Sequence, residues 1–363
     1  MQDLRDMIIQ SIQAGGPISF RDFMQTALYC PGLGYYTSSE KKIGTDGDYL
    51  TSPALSSLFA ECISKQIAEM WQLMGKKKFT IVEYGGGNGD LCSEVLENLR
   101  HCPALYDSLD YLIVEKNDRT ADHQQYFSHP RVRWLNTISG ISEVSGCILS
   151  NELIDNFPVH VVVMEEELME EFIGYDAGVF YEILRPASEE LKNYFARLHI
   201  VLPKGYRTEV NLQALEWLKE IATVLKEGFV ITIDYGSVSD ELYTPQKKCG
   251  SLLCYRKHQV STDPFKHIGR QDITAQVNFS ALRLWGRDHQ LDYCGYTSQS
   301  QFLRSFGIIS TLRKMESEKK PDLQQILKLK TLVFDMGQKI KLMILQKGLK
   351  KMSLTGVQFQ LPI

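Results

Sequence analysis

Two carboxylates and one amide stand close together after a short apolar run in the middle of the chain. Asn151, Glu152 and Asp155 follow residues 146–150, GCILS, which have the composition of a buried strand. Ligands of open α/β sheets bind beyond the carboxyl ends of the strands. Paired acids at such an edge match a planar guanidinium, which binds carboxylates through two parallel hydrogen bonds. We therefore predict that these three residues form a catalytic site; the alternative is that the acids only cap the next helix.

A second group of residues combines a carboxylate with three glycines at alternate positions. An apolar run ends at Glu83, and Gly85, Gly87 and Gly89 follow before a helical pattern begins. This order predicts a strand, a tight turn and a helix, with the backbone bare where a ligand can lie against it. A dinucleotide fingerprint would need a glycine where Asp90 stands. The spacing resembles the first motif of class I methyltransferases instead, which implies S-adenosylmethionine; a purely structural turn is the alternative.

The next apolar run along the chain also ends in an acid. Residues 109–114 predict a buried strand, and Glu115 follows them directly. A carboxylate at the tip of the strand beside a nucleoside-binding turn can accept hydrogen bonds from both ribose hydroxyls. We therefore predict that Glu115 binds the ribose, with an ordinary surface carboxylate as the alternative.

A long segment before these strands, residues 29–53, is rich in glycine, tyrosine and small polar residues. Segments of this length without regular structure are usually either functional loops or disordered. Its tyrosines favour an ordered binding loop or lid. Within it, the phrase GTDGDY brings backbone amides and carboxylates together, and Ser52 with Pro53 predicts the start of a helix.

The elements that would position these residues alternate between strands and helices, among them a helix over 119–127. This alternation predicts an α/β fold with a parallel sheet and right-handed crossovers. From residue 159 the pattern changes to short strands with acidic turns, which we interpret as an inserted β-meander. A helix over 208–226 and a strand over 229–235 follow, and 340–346 is the candidate final strand, with 357–359 as its rival. The predicted segments are N-terminal helices with the long loop (1–78), the first part of the core (79–158), a β-rich insertion (159–203), the core continued (204–235), a second insertion (236–278) and the C-terminal part of the core (279–363).

The composition is that of an ordinary globular enzyme, with 44% hydrophobic and 23% charged residues. A net charge of −4 gives no sign of a nucleic-acid partner. None of the apolar runs approaches the roughly 18 residues of a membrane span. The eight cysteines include no CxxC pair, so we expect reduced and mostly buried thiols. His258 and His267 lack a third ligand at metal spacing, and we predict no metal site.

Several longer phrases of the chain together resemble the MidA family of methyltransferases, which includes mitochondrial members that assist assembly of respiratory complex I. The resemblance implies a Rossmann-like class I methyltransferase core with insertions, S-adenosylmethionine as cofactor and, as in the mitochondrial members, a protein arginine as acceptor. It also implies that part of the long loop packs against the cofactor, through Gly44, Gly47, Asp48, Thr51, Ser52 and Pro53. The matching phrases, in the family's order, lie at 18–36 (ISFRDFMQTALYCPGLGYY), 44–59 (GTDGDYLTSPALSSLF), 83–91, 151–159 (NELIDNFPV), 233–236 (IDYG), 250–258 (GSLLCYRKH), 272–279 (DITAQVNF) and 295–308.

Two positions depart from the family pattern. Ala54 stands where the family phrase has an acid, so one polar group is missing from the loop. Gly86 stands where the family turn often has alanine, which we regard as a mild change.

The leading hypothesis is an S-adenosylmethionine-dependent protein arginine methyltransferase, with a subunit of respiratory complex I (NADH dehydrogenase) as a candidate substrate. One alternative is methylation of a small molecule at nitrogen or oxygen. A second is an assembly factor that binds the cofactor and turns over little. The first residues lack the features of a signal or transit peptide, so we expect a bacterial cytoplasmic protein. Neither the substrate nor the oligomeric state, monomer or homodimer, follows from the sequence.

Overall fold

The computed structural model describes residues 3–38, 52, 56–115 and 127–363 of the chain. The chain divides into two compact units, each assembled from three separate stretches of sequence. The first unit comprises Met1–Leu50, Ile154–Glu216 and Ser237–Ala281, and the second comprises Thr51–Leu153, Trp217–Gly236 and Leu282–Ile363.

The elements are numbered in chain order. The strands are β1 (Ile18–Ser19), β2 (Phe79–Tyr84), β3 (Leu109–Val114), β4 (Val132–Leu135), β5 (Val144–Asn151), β6 (His160–Met164), β7 (Leu168–Asp176), β8 (Val179–Pro186), β9 (Arg207–Val210), β10 (Leu225–Ser237), β11 (Leu253–Arg256), β12 (Gln259–Ser261), β13 (Asp272–Thr274), β14 (Val277–Asn278), β15 (Asp292–Ser298) and β16 (Ile340–Lys347). The α-helices are α1 (Leu4–Gly15), α2 (Phe20–Tyr29), α3 (Ser57–Leu73), α4 (Asp90–Leu99), α5 (Pro103–Ser108), α6 (Glu189–Leu198), α7 (Leu212–Val224), α8 (Ser239–Leu242), α9 (Phe279–Asp288), α10 (Gln299–Ser305), α11 (Ile308–Glu316), α12 (Leu323–Lys330) and α13 (Gly337–Lys339).

The central sheet of the second unit has the strand order β15-β16-β10-β5-β2-β3-β4. The strands from β10 to β4 run parallel to their neighbours, whereas β16 is antiparallel to both β10 and β15. Strand β5 is buried along almost its whole length, which is typical of parallel strands with both faces covered. This mixed α/β architecture confirms the Rossmann-like core that the sequence predicts.

The carboxyl ends of the central parallel strands lie level with one another. Tyr84 of β2 pairs with Val114 of β3 on one side and with Ser150 of β5 on the other. Ser150 also pairs with Thr232 of β10. Side chains at or just beyond these positions therefore share one edge of the sheet, where α/β folds bind ligands.

The structure has a helical residue at the predicted start, Ser52, and a regular helix from Ser57. Helix α3 starts at Ser57, and the hydroxyl of Ser56 caps it by accepting a hydrogen bond from the N–H of Leu58 at 3.3 Å. The sequence predicts a helix start at Ser52 and Pro53; residues 53–55 lie outside the described residues, so the position of Pro53 in a helix stays a prediction. Serine is a strong N-cap at either position, so the local signal does not distinguish the two starts.

The first unit contains two antiparallel sheets. One has the order β1-β7-β6-β9, with β8 also paired to β7, and the other has the order β12-β11-β13. Helices α1 and α2 bury their apolar faces in the core of this unit, where the rings of Phe23 and Phe265 lie 5.0 Å apart. Strands β6, β7 and β8 confirm the predicted meander.

Two segments of the first unit differ from the prediction. The region predicted as one helix over 208–226 begins with strand β9, and α7 starts only at Leu212. Asn211 ends the strand and caps the helix, because its Oδ1 accepts a hydrogen bond from the N–H of Ala214. The predicted meander also contains helix α6, which Ser188 caps through the N–H of Leu191.

The C-terminal region confirms one prediction and adds elements that were not predicted. Strand β16 corresponds to the predicted final strand, whereas its rival over 357–359 is not a strand and begins at the last residue of the 3₁₀ turn Thr355–Val357. Helices α11 and α12 occupy a region for which we predicted no helix. A helix that the sequence also predicts over 119–127 lies outside the described residues, apart from residue 127.

Three general properties concern the described residues. None of their helices is long and apolar enough to cross a membrane. None of their histidine, cysteine, aspartate and glutamate side chains form a group of three or more that could hold a metal ion. All eight cysteines are free thiols and five of them are buried, as predicted.

Candidate active site

The glycine turn between β2 and α4 has a backbone that side chains would disfavour. Gly85, Gly87 and Gly89 have φ angles of +74°, +54° and +82°, in the left-handed region that residues with a Cβ rarely adopt. The N–H of Gly85 donates to the carbonyl of Val114 at 2.9 Å, and the N–H of Gly89 donates to that of Gly86 at 2.8 Å. The turn is therefore fixed at both ends and presents bare backbone at the edge of the sheet.

Gly86 is also required at this turn, and the sequence analysis did not predict this requirement. A Cβ at this position would lie 2.5 Å from Cγ2 of Ile113 and 3.5 Å from the carboxyl group of Glu83. The constraint comes from the neighbouring strand, because Ile113 belongs to β3. Glycine in place of the alanine that the family often has at position 86 thus leaves the room that the side chain of Ile113 occupies.

Glu83 supports the turn from within the core. Only 4% of its surface is exposed, and the hydroxyl of Tyr111 donates to its Oε2 at 2.6 Å. Burial raises the pKa of Glu83 to about 7, and the nearby carboxylates of Asp90 and Glu115 act in the same direction. This geometry makes Glu83 a residue that positions the turn, and its direct contact with a cofactor stays a prediction.

Glu115 lies beside the glycine turn, as the sequence predicts for the tip of β3. Its backbone N–H donates to the carbonyl of Leu135 at 2.9 Å, which fixes the residue after the strand. Its carboxylate Oε2 accepts a hydrogen bond from the N–H of Gly87 at 3.2 Å. The structure therefore brings a partly exposed carboxylate and the bare backbone of the turn together.

Glu152 follows β5 in a backbone conformation that is rare for a residue with a side chain. Its φ angle is +50°, a conformation that costs about 1–3 kcal/mol and is found mainly at functional sites. The N–H of Glu152 donates to the carbonyl of Ile233 at 2.8 Å. Its Oε1 accepts hydrogen bonds from the N–H of Ser52 at 2.8 Å and from Nδ2 of Asn151 at 3.4 Å. Three predicted site residues therefore meet here.

Asp234 of β10 holds the turn that carries Glu152. Its side chain is completely buried, and its Oδ2 accepts a hydrogen bond from the N–H of Leu153 at 3.1 Å. Its Oδ1 accepts a second one from the N–H of Tyr235 at 2.8 Å. Burial, together with the charge of Asp234, raises the pKa of Glu152 to about 7. The phrase IDYG indicated Asp234 in the sequence, but its bond to the Glu152 turn is visible only in the structure.

Ser52 has a partner that the sequence analysis did not indicate. Its hydroxyl donates to Oε1 of Gln299 at 3.0 Å, and both side chains are completely buried. Nε2 of Gln299 in turn lies 3.4 Å from the carbonyl of Leu332. The other loop residues predicted at the cofactor lie outside the described residues: Gly44, Gly47, Asp48, Thr51 and Pro53.

Asp155 belongs to the first unit, within the 3₁₀ turn Ile154–Asn156. Its side chain is 7% exposed, and its backbone carbonyl accepts a hydrogen bond from the N–H of Ala275 at 2.8 Å. The hydroxyl of Tyr29 donates to the carbonyl of the next residue, Asn156, at 3.1 Å. The structure thus shows Asp155 in a buried, well-bonded turn, and its catalytic role stays a prediction.

Two polar atoms at the end of β5 indicate that this edge suits a polar ligand. Ser150 Oγ and Asn151 Oδ1 are buried, and neither has a hydrogen-bond partner among the described residues. Buried polar atoms without partners are rare and costly, so each needs an explanation. The glycine turn, the carboxylate of Glu115 and these two oxygens together fit a nucleoside that carries hydroxyl and amino groups. The residues of the second unit therefore suit the predicted cofactor.

Comparisons with known proteins agree with this geometry. Residues 62–297 match Methyltransf_28, a family of S-adenosyl-L-methionine-dependent methyltransferases. A COG1565 superfamily member from Burkholderia thailandensis, solved with S-adenosyl-homocysteine bound, is 31% identical, with 98% of this chain and 95% of that chain covered and a TM-score of 0.88. The mitochondrial protein arginine methyltransferase NDUFAF7 homologue of Caenorhabditis elegans is 26% identical over 93% of this chain and 85% of its own length. The Bos taurus protein arginine methyltransferase NDUFAF7 is also 26% identical, over 88% of this chain and 76% of its own length.

The fold, the glycine turn and the matched family define an S-adenosylmethionine-dependent methyltransferase. The chain belongs to the MidA family of these enzymes, as the phrases of its sequence indicate. The predicted cofactor is thereby confirmed as S-adenosylmethionine.

Proposed function

We propose that this methyltransferase modifies a guanidinium nitrogen of an arginine in a protein substrate. The observation that supports the proposal most directly is Glu152, a half-buried residue at the carboxyl edge of the sheet in a strained, left-handed conformation. A carboxylate is the natural partner of a guanidinium. The names of the mitochondrial relatives, which are protein arginine methyltransferases, support the same acceptor.

The chemistry requires alignment more than strong activation. The bound cofactor supplies an electrophilic methyl group on a sulfonium. Glu152 would accept hydrogen bonds from the guanidinium and hold its plane, and such positioning contributes several kcal/mol. Asp234 would act through Glu152, because it is completely buried and bonds the backbone of Leu153.

The raised pKa of Glu152 suits the transfer of a proton. A guanidinium nitrogen that gains a methyl group must release a proton, and a nearby carboxylate can receive it. Burial and Asp234 bring the pKa of Glu152 to about 7, which is close to neutral operating conditions. Glu152 would thus hold the acceptor while ionised and take up one proton as the new bond forms.

We also propose which protein is the substrate. The resemblance to the mitochondrial members of the family supports a subunit of respiratory NADH dehydrogenase as the substrate. We further propose that the reaction takes place in the bacterial cytoplasm. A small-molecule acceptor and a cofactor-binding assembly factor with little turnover are the alternatives that an experiment must exclude.

The test is transfer of a labelled methyl group. The purified enzyme is incubated with S-adenosylmethionine labelled in the methyl group and with a lysate from a strain that lacks the gene. We expect one labelled polypeptide, whose acid hydrolysate contains methylarginine. The variant Glu152→Gln should bind S-adenosyl-homocysteine as the wild type does but lose transfer. The control is Glu97→Gln, because Glu97 lies on the exposed face of α4 and forms an ion pair with Arg100 at the end of that helix.

The possible outcomes separate the alternatives. Label in another amino acid would refute the arginine assignment, and label only in small molecules would support the first alternative. Cofactor binding without any labelled product would support the assembly factor. Normal transfer by Glu152→Gln would contradict the role given to Glu152. The identity of the acceptor would then still be decided by the methylated amino acid found in the acid hydrolysate.

A further inference from the structure

The first unit contains a small polar cavity that the active site of the second unit does not use. Its volume is about 20 Å³, enough for one group of the size of a water molecule. Its walls come from β9, α6 and the segments that follow β10, all within the first unit. The residues that matter here are Tyr194, Glu209, Asn211, Tyr243, Gly250 and Asn278.

The carboxylate of Glu209 lines this cavity with only one of its oxygens satisfied. Its side chain is 5% exposed, and its Oε2 accepts hydrogen bonds from both the N–H and the hydroxyl of Ser251, at 2.8 and 2.9 Å. Its Oε1 is buried and accepts no hydrogen bond among the described residues. An unsatisfied oxygen on a buried carboxylate is expensive unless a ligand completes it.

The nearest cation does not complete this oxygen. Nη1 of Arg207 lies 4.0 Å from Oε1 of Glu209, at the limit of an ion pair. The same guanidinium is already engaged with Glu171, through Nε at 3.0 Å and Nη2 at 3.2 Å. One arginine thus faces two buried carboxylates, and the group carries an excess negative charge. Burial also raises the pKa of Glu209, which shows that its ionised form lacks full compensation.

The opposite part of the cavity wall carries oxygen atoms in fixed positions. Nδ2 of Asn278 donates to the hydroxyl oxygen of Tyr194 at 3.1 Å and lies 3.3 Å from that of Tyr243. Oδ1 of Asn278 is held in turn by the N–H of Ala281 at 3.1 Å. The hydroxyl of Tyr243 also donates a hydrogen bond to that of Tyr194, so the oxygen that retains acceptor capacity on this wall is that of Tyr243. The cavity therefore combines an anionic oxygen with a neutral acceptor, the hydroxyl oxygen of Tyr243.

Gly250 keeps the space around Glu209 free of side chains. Its φ angle is +78°, and a Cβ built on it would lie 2.1 Å from Oε1 of Glu209. Any other residue would therefore be strained and would collide with the carboxylate. The close approach of this backbone leaves room on the cavity side of Oε1 only for a small group.

We propose that this cavity binds a primary ammonium group of the polypeptide substrate. The proposal rests on the proposed function only in taking the substrate to be a polypeptide. An ammonium is small enough for the cavity, carries three N–H donors and supplies the positive charge that the two carboxylates lack. A planar guanidinium is too large for this cavity, and the guanidinium of Arg207 already lies beside Glu209. The site would recognise the substrate at a point other than the methylated nitrogen.

The first experiment uses methylammonium as the probe and thermal unfolding of the full chain as the measurement. Binding to the folded state raises the midpoint in proportion to the logarithm of probe concentration. Tetramethylammonium at the same ionic strength is the control, because it has the same charge, no N–H donor and a larger volume. We expect methylammonium to raise the midpoint and tetramethylammonium to leave it unchanged. Equal effects of the two cations would overturn the proposal.

Variants locate the binding. Glu209→Gln should weaken methylammonium binding by about tenfold or more, since a charge-assisted hydrogen bond is lost. Tyr243→Phe removes one acceptor but keeps the ring, and it should weaken binding less. Tyr243→Phe also provides a test of the cavity if Glu209→Gln does not fold. Unchanged affinity in either folded variant would contradict the proposal.

Two further probes distinguish the sources of the ammonium group. Nα-acetyl-lysine methylamide presents only a lysine side chain, and alanine methylamide presents only an N-terminal amine. The one that competes with methylammonium identifies the source, and competition by neither would refute a polypeptide ligand. Glu152→Gln should leave methylammonium binding unchanged. If the labelled product is not methylarginine but binding still depends on Glu209, the acceptor proposal fails and the cavity proposal stands.

Discussion

The buried carboxyl group of Glu83 should make the stability of this protein depend on pH. Burial raises its pKa from 4.5 to about 7, and the charges of Asp90 and Glu115 add to the shift. The bond from the hydroxyl of Tyr111 opposes the shift but does not cancel it. The folded state therefore holds the proton more tightly than the unfolded chain does.

The sign and size of the effect follow from this difference in pKa. Because the folded-state pKa is the higher one, the folded state binds more protons between about pH 4.5 and 7, and stability falls as the pH rises through that window. Between about pH 5 and pH 8 a single group with this shift lowers the free energy of unfolding by about 2–3 kcal/mol. The variant Glu83→Gln cannot ionise, yet its amide oxygen can still accept the hydrogen bond from Tyr111.

The assay is urea unfolding followed by circular dichroism at about pH 5 and pH 8. We expect the free energy of unfolding of Glu83→Gln to fall by about 2–3 kcal/mol less than that of the wild type over this interval. The comparison cancels the contributions of other titrating groups, including Glu152. Glu97→Gln is the control, because the side chain of Glu97 is largely exposed and should leave the pH dependence unchanged. Equal pH dependence in wild type and Glu83→Gln would refute the reasoning.

Three further predictions concern the edge of the sheet. Gly86→Ala should lower the free energy of unfolding by about 1–3 kcal/mol in chemical denaturation, because its Cβ meets Ile113, whereas Gly140→Ala, which has open space, should change it by less than about 0.5 kcal/mol. The initial rate of methyl transfer should rise with pH through about 7 as Glu152 ionises. Asp234→Asn should move the midpoint of this rise to lower pH, because it removes the neighbouring charge. A rate that does not change with pH would contradict the proposed role of Glu152. Glu152→Gly should be inactive in transfer but about 1 kcal/mol more stable than the wild type near pH 8, because it relieves the left-handed strain; lower stability would contradict that account.

The parts of the site that follow from the sequence are those that one short segment specifies by itself. The alternation of Gly85, Gly87 and Gly89 after an apolar run indicates a turn with bare backbone, and all three have positive φ angles. Glu115 could be assigned for the same reason, since it ends a recognisable strand. These features depend on local backbone requirements and on the rule that strands of one sheet end at a common edge.

The parts that the sequence did not indicate depend on a distant partner. Gly86 is required because of Ile113 on the neighbouring strand, and Ser52 bonds to Gln299, which lies 247 positions later in the chain. The same holds for the fold, because residues 207–210 form β9 by pairing with β6, although they continue a helical pattern. Local periodicity describes one segment at a time and carries no information about such pairings.

The turn after β5 combines two features that both oppose folding. Glu152 has a left-handed backbone, which costs about 1–3 kcal/mol. Burial of its carboxylate raises the pKa of Glu152 to about 7, and the like charge of Asp234 acts in the same direction. The hydrogen bond from the N–H of Leu153 to Oδ2 of Asp234 holds this carboxylate beside the turn. A sequence selected for stability alone would retain neither feature, whereas a cation bound at Glu152 would offset the repulsion. The strain and the paired charges therefore indicate a turn whose residues are selected for binding a cationic acceptor.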